Sequence, residues 1–151
     1  MGALSHRPLI AAALALALGA CGGGPKPAPA TPPSITLSVT SATTCNHGRP
    51  LQAVIRTVTL QQFDEDQYRT IAQLVVSPDE TVLTSFIVFP GVAQTIKLAP
   101  PAKGTAAVYF LFTDATGTSW KQQLDASATS QHVELADDQI APPGSTAKTA
   151  K

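Results

Sequence analysis

Between Ser34 and Ile140 the apolar residues fall at every second position, in short runs broken by turn formers, and that period confines the segment to β-structure. Ile35, Leu37 and Val39 alternate with Thr and Ser, the pattern of a strand with one buried face. A turn-rich stretch, Ser41 to Pro50, precedes Leu51–Leu60, whose β-branched residues make it the strongest strand of the chain. Val54, Val58 and Leu60 share one face with Arg56, while Leu51, Ala53 and Ile55 share the other with Thr57 and Thr59. Such a strand belongs inside a sheet, covered on both faces near one end. Further strands are expected at Val82–Phe89, closed by Pro90-Gly91, at Ala93–Leu98, and at Ala106–Thr113, which is apolar on both faces and therefore central. Asp114 to Gly117 turns the chain, Trp120–Leu124 returns, and His132–Leu135 supplies a last edge.

One segment departs from this period. Phe63, Gln67, Tyr68 and Ile71 recur at helical spacing, and Asp64-Glu65-Asp66 stands where a helix N-terminus favours negative charge. The pattern predicts a short helix over Asp64–Ala72, with Leu74–Val76 pairing briefly before the Pro78-Asp79-Glu80 turn. About six or seven strands at roughly 8–12-residue spacing, with one short helix, make the expected fold mainly β, a two-sheet β-sandwich.

The flanks are of another kind. Leu9 to Ala20 is an apolar run behind His6 and Arg7, too short to span a bilayer, which takes roughly 20 residues. It closes on Leu18-Gly19-Ala20-Cys21, the signature of a bacterial lipoprotein signal. Residues 1–20 are thus expected to be removed and Cys21 to carry diacylglycerol and an N-acyl chain. Each buried methylene of such chains contributes about 0.8 kcal/mol, so they hold a small domain at a membrane. Gly22, where aspartate would favour inner-membrane retention, directs the expected location to the periplasmic face of the outer membrane. Residues 21–33 are the lipidated cysteine and a Gly/Pro-rich linker, 34–140 the sandwich, and 141–151 a disordered tail.

Charge and reactive residues exclude more than they suggest. Of ten basic residues Arg7 leaves with the signal, so the mature chain holds nine against ten acidic, a net charge near −1. No basic face is available for nucleic acid. With Cys21 occupied by lipid, Cys45 is unpaired and expected to be buried. Cys45 and His47 are two apart, but a thiolate–imidazole pair needs a third group and an oxyanion site that nothing nearby supplies. A cysteine-dependent enzyme is therefore a distant reading. Neither Asp64-Glu65-Asp66 nor Asp79-Glu80 shows calcium-loop spacing, and a solvated face or a helix cap explains them better. His47 and His132 are too few for a zinc site without thiolates, so no metal and no cofactor beyond the lipid is expected. Serine elbow, phosphate loop and nucleotide fingerprint are all missing.

The order of the remaining pieces is informative. Behind the lipoprotein signal, linker and first strand comes Asn46-His47-Gly48-Arg49-Pro50, leading directly into Leu51-Gln52-Ala53-Val54-Ile55-Arg56. Phe63 and Tyr68 follow in the helical segment, then Pro90-Gly91 before Gln94–Leu98, the apolar run Ala107–Phe112, Asp114, and Trp120-Lys121. This resembles the outer-membrane lipoprotein of type VI secretion systems, the TssJ family, over most of Ile35–Leu124. The strand end Thr57–Leu60 lacks the family's tyrosine and Tyr68–Ser77 lacks its acidic, leucine-rich stretch, so the chain reads as a divergent member. The resemblance implies a transthyretin-like two-sheet β-sandwich, no enzymatic activity, and a partner in the periplasmic domain of the large inner-membrane component TssM, itself joined through TssL to the baseplate. Within Thr40–Pro50, Asn46, His47, Gly48 and Arg49 are the candidate contacts. The plain alternative for this loop is a connector, with Gly48 making a tight turn and Pro50 opening a strand. For the whole protein the rival is a free-standing periplasmic lipoprotein with a ligand-binding or assembly-factor role.

Overall fold

Alternating and doubly apolar strands resolve into two sheets in the computed structural model, which describes residues 33–142. The expected signal peptide, Cys21, the linker up to residue 32 and the tail from residue 143 lie outside the described residues. In chain order the elements are β1 (Ile35–Ser41), β2 (Leu51–Val58), α1 (Leu60–Glu65), α2 (Tyr68–Val76), β3 (Val82–Val88), β4 (Gln94–Leu98), β5 (Thr105–Leu111), β6 (Lys121–Gln123), β7 (Ser130–Ala136) and β8 (Gln139–Ile140). One sheet runs β4-β1-β7-β8 and the other β3-β2-β5-β6. The fold is mainly β, a two-sheet sandwich, as expected.

β2 and β5 lie side by side in the middle of their sheet, with Ala53 opposite Phe110 and Ile55 opposite Val108. Those side chains face the other sheet, where Ile35, Leu37, Val39, Val133 and Leu135 meet them in one buried core. On the far face of the same sheet Val54 stands opposite Tyr109 and Arg56 opposite Ala107. Both helices cover that face, which is why the two strands read as apolar on both sides. β1 keeps a clean alternation because its outer residues Thr36, Ser38 and Thr40 meet solvent.

Several expectations are corrected. The helical segment is split. Thr59 and Gln62 form a capping box, Thr59 Oγ1 accepting from the Gln62 N–H at 3.2 Å and Gln62 Oε1 from the Thr59 N–H at 2.9 Å, so α1 starts at Leu60. The chain turns extended at Asp66, and Asp64-Glu65-Asp66 therefore lies at the C-terminal end of α1, not at an N-terminus. Leu74–Val76 forms no strand; it completes α2, whose Tyr68, Ile71 and Val75 make one stripe against the core. His132–Leu135 is no edge either. It lies in β7, between β1 and the two-residue β8, and β7 pairs with β1 in parallel, a contact no local periodicity reports.

Nor is Asp66 a solvated charge. Its carboxylate leaves α1 to meet Arg56 Nη1 at 3.3 Å and accepts a hydrogen bond from Tyr109 Oη, with the Arg56 and Asp66 side chains 9% and 10% exposed. Burial, and then the bond to Asp66, raise the Tyr109 phenol well above its ordinary value. Lys121 Nζ donates to the carbonyls of Phe63, Asp64 and Asp66, placing a cation on the open carbonyl end of α1. Trp120 stacks edge-on against Tyr68 at 5.2 Å and tilted against Tyr109 at 5.6 Å, core packing as the sequence suggested. None of the described helices is long and apolar enough to cross a membrane.

Candidate functional site

The segment Ala42–Pro50 leaves β1 and folds back into β2 through a 3-10 turn, Cys45–Gly48. Its backbone is tied at both ends: the Ala42 N–H donates to Leu135 O at 3.0 Å and the Asn46 N–H to Asp137 O at 2.7 Å. Thr44 Oγ1 adds a bond to Asp137 Oδ1 at 3.0 Å. Asn46, His47 and Gly48 all take left-handed φ, 51°, 57° and 73°. Asparagine and glycine tolerate that conformation, and histidine is among the side chains that enter it more often than most.

The structure divides the four candidate residues. Asn46 is not a surface contact. It is 3% exposed, its Nδ2 donates to Arg49 O at 3.1 Å and Pro50 O at 3.4 Å, and its Oδ1 accepts from the Thr113 N–H at 2.7 Å. One side chain thus closes the turn and fastens it to the end of β5. His47, Gly48 and Arg49 are exposed. Arg49 makes no ion pair among the described residues, which leaves its guanidinium open to a partner. His47 Nε2 stands 2.9 Å from Asp114 Oδ2 and 3.4 Å from Asp138 Oδ2.

Cys45, beside this surface, is fully buried, and burial, with the Asp138 and Asp137 carboxylates behind it, pushes its thiol up to about 11. A thiol held protonated inside the core is a poor nucleophile, and the imidazole two residues on is turned to carboxylates on the surface. The pair supplies no catalytic dyad.

Sequence reasoning missed what surrounds the loop. Ser41 Oγ donates to Phe89 O at 3.2 Å, and the Gly91 N–H donates to Ser41 O at 3.2 Å, so the β3–β4 turn sits against the loop. A Cβ on Gly91 would stand 2.8 Å from Thr43 Cγ2. This turn presents Phe89 and Val92, each about half exposed (48% and 49%). The loop, this turn, the turn after β5 and the Asp137-Asp138 turn together form one end of the sandwich. The N-terminal end of β1, where the chain enters, forms the other, a strand length of roughly 20 Å away. Only the Pro90-Gly91 signal hinted at this grouping, since partners so distant in sequence leave no local trace.

The comparisons with known proteins agree with this architecture. The sequence profile of the family described as "IglE, N-terminal domain" matches residues 52–135. No curated protein matches significantly. Among solved structures, a chain described as the type VI secretion protein TssM C-terminal domain from EAEC is similar, at 14% identity and TM-score 0.58, over 72% of this chain and 95% of that one. Lip of Serratia marcescens, described as a membrane-bound component of the type VI secretion system, is 12% identical with TM-score 0.58, over 72% and 96%. The type VI lipoprotein TssJ1 from Pseudomonas aeruginosa is 17% identical with TM-score 0.54, over 74% and 98%. Likeness at these identities is likeness of fold, and the fold is the transthyretin-like β-sandwich of type VI membrane-complex lipoproteins. By a profile match spanning more than half of its length, the chain belongs to the IglE N-terminal domain family.

Proposed function

We propose that this protein is a lipid-anchored adaptor of a type VI secretion membrane complex, a binding component and not an enzyme. Acyl chains on Cys21 hold it to the periplasmic face of the outer membrane, the Gly/Pro-rich segment to residue 33 supplies reach, and the sandwich grips the periplasmic part of the inner-membrane component, TssM. One observation carries the reading: the chain enters the sandwich at one end while the exposed His47-Gly48-Arg49 surface and the apolar Phe89 and Val92 lie together at the other. Tether and grip then pull on opposite ends of a rigid body, the arrangement a mechanical link between two membranes requires.

Two measurements test it. Cross-linking in intact envelopes, followed by purification through this chain, is expected to bring down a large inner-membrane protein, with capture falling at least about tenfold for Arg49→Glu and Phe89→Asp. Replacing Cys21 by Ser is expected to move the protein from the membrane to the soluble periplasmic fraction. Unchanged capture by both pole variants, or capture of nothing large, would return the chain to a free-standing periplasmic lipoprotein.

A further inference from the structure

We propose that His47, Asp114 and Asp138 bind a divalent transition-metal ion of the zinc type, tying three loops of this end of the sandwich together. The three side chains come from the turn before β2, the turn after β5 and the turn between β7 and β8, and their donor atoms all lie within 4.8 Å of one another. His47 Nε2 is 2.9 Å from one carboxylate oxygen and 3.4 Å from the other. Two ligands of one ion, each bonded at about 2.1 Å, stand roughly 3–4 Å apart, so small side-chain movements complete the set.

The chemistry of the donors selects the ion. An imidazole nitrogen favours zinc and its neighbours over magnesium and calcium, which take oxygen almost exclusively, and two aspartates bring the charge to balance a divalent cation. That charge is poorly met within the protein: among the described residues neither carboxylate pairs with lysine or arginine, and Asp137 adds a third negative group beside them. A second observation is independent of the cluster's spacing. The other oxygen of Asp138, on a side chain 26% exposed overall, is itself buried without any hydrogen-bond partner, an arrangement that a native fold rarely leaves unmet. A cation held by Oδ2 neutralises the carboxylate whose second oxygen lacks a partner. Open cavities of about 570 and 360 Å³ flank Asp138, the first lined by Thr43, Thr44, His47 and Gly48, the second by Asp114, Thr116 and Gln139. They leave room for water at the position that three protein ligands leave open.

The test is titration of the full processed chain, in detergent and freed of metal by chelation, with zinc chloride alone, read by calorimetry and by thermal unfolding. One ion per chain at micromolar concentration is expected, with a melting temperature that climbs with added zinc. His47→Gln and Asp138→Asn are each expected to weaken binding at least about tenfold, and His132→Gln to leave it unchanged. Trp120 fluorescence reports whether each variant is folded. Asp114→Asn, on a side chain 69% exposed, supplies a ligand-loss variant that cannot act through the core. Cobalt in place of zinc should give visible absorption that His47→Gln abolishes. Lack of zinc binding up to about 100 micromolar, or binding indifferent to His47 and Asp114 replacement, would overturn the site while leaving the adaptor reading untouched.

Discussion

Two buried polar side chains decide more at the residue scale than any exposed one. Asn46 satisfies Arg49 O, Pro50 O and the Thr113 N–H at once while holding a left-handed backbone. Asn46→Ala is expected to lower stability by about 2–3 kcal/mol in urea unfolding, because buried partners are orphaned. Asn46→Gly separates the causes: glycine relieves the backbone, so any stability still missing belongs to the hydrogen bonds. Asp66 neutralises Arg56 beneath α1, and the Arg56 Nε is already without a partner. Asp66→Asn keeps the shape but leaves a guanidinium buried without counter-charge. A loss of about 3–5 kcal/mol is expected by the same measurement, and a value under about 1 would show that water reaches the pair. Asparagine before Gly-Arg-Pro was legible in the chain as a turn former. That its amide would point inward was not, because its partner Thr113 lies in the turn after β5, far along the chain.

At the scale of the element, the sheet edge at β3 matters most. Val82–Val92 contains no charged residue, and Leu83, Ile87 and Phe89 face outward, the composition of an edge prone to pairing with another chain. Gln94 blunts it: its Nε2 donates to Ile87 O at 2.9 Å and its Oε1 accepts from the Phe89 N–H at 3.3 Å, occupying ladder groups a foreign strand would use. Gln94→Ala is expected to make the protein associate with rising concentration, seen by light scattering against the parent chain at equal concentration. Helix boundaries belong to this scale as well. Thr59-Leu60-Gln61-Gln62 carries a capping-box pattern in plain sequence, whereas the acidic run after it resembled an N-terminus although Glu65 accepts from Gln61 Nε2 at 2.8 Å within α1 and Asp66 serves a buried arginine.

Over the whole molecule, protons report on the packing. Cys45 holds its proton to about pH 11 when folded and to about 9.0 when unfolded. Below pH 9 both states are protonated and stability is unaffected. Between 9 and 11 the unfolded chain releases the proton first, so stability falls as pH rises, by at most about 1.4 kcal/mol per unit. Tyr68 and Tyr109, also raised by burial, extend the decline to higher pH. Urea midpoints across pH 8–11 check this, and Cys45→Ala should flatten the first part of the slope. A slope unchanged by that replacement would assign the whole effect to the phenols.

Seven of the eight strands, the central position of β2 and β5, the aromatic core and a buried Cys45 were determined by the sequence itself, whereas the two-residue β8 was not. Alternation, double-sided apolar runs and turn residues are local, and each strand writes its own burial into its own side chains. The parallel β1–β7 pair, the inward Asn46, the Arg56–Asp66–Tyr109 cluster and the meeting of His47 with Asp114 and Asp138 were decided only by tertiary structure. Each joins residues far apart in the chain, where geometry across the fold, and not periodicity along it, sets which polar atoms find a partner.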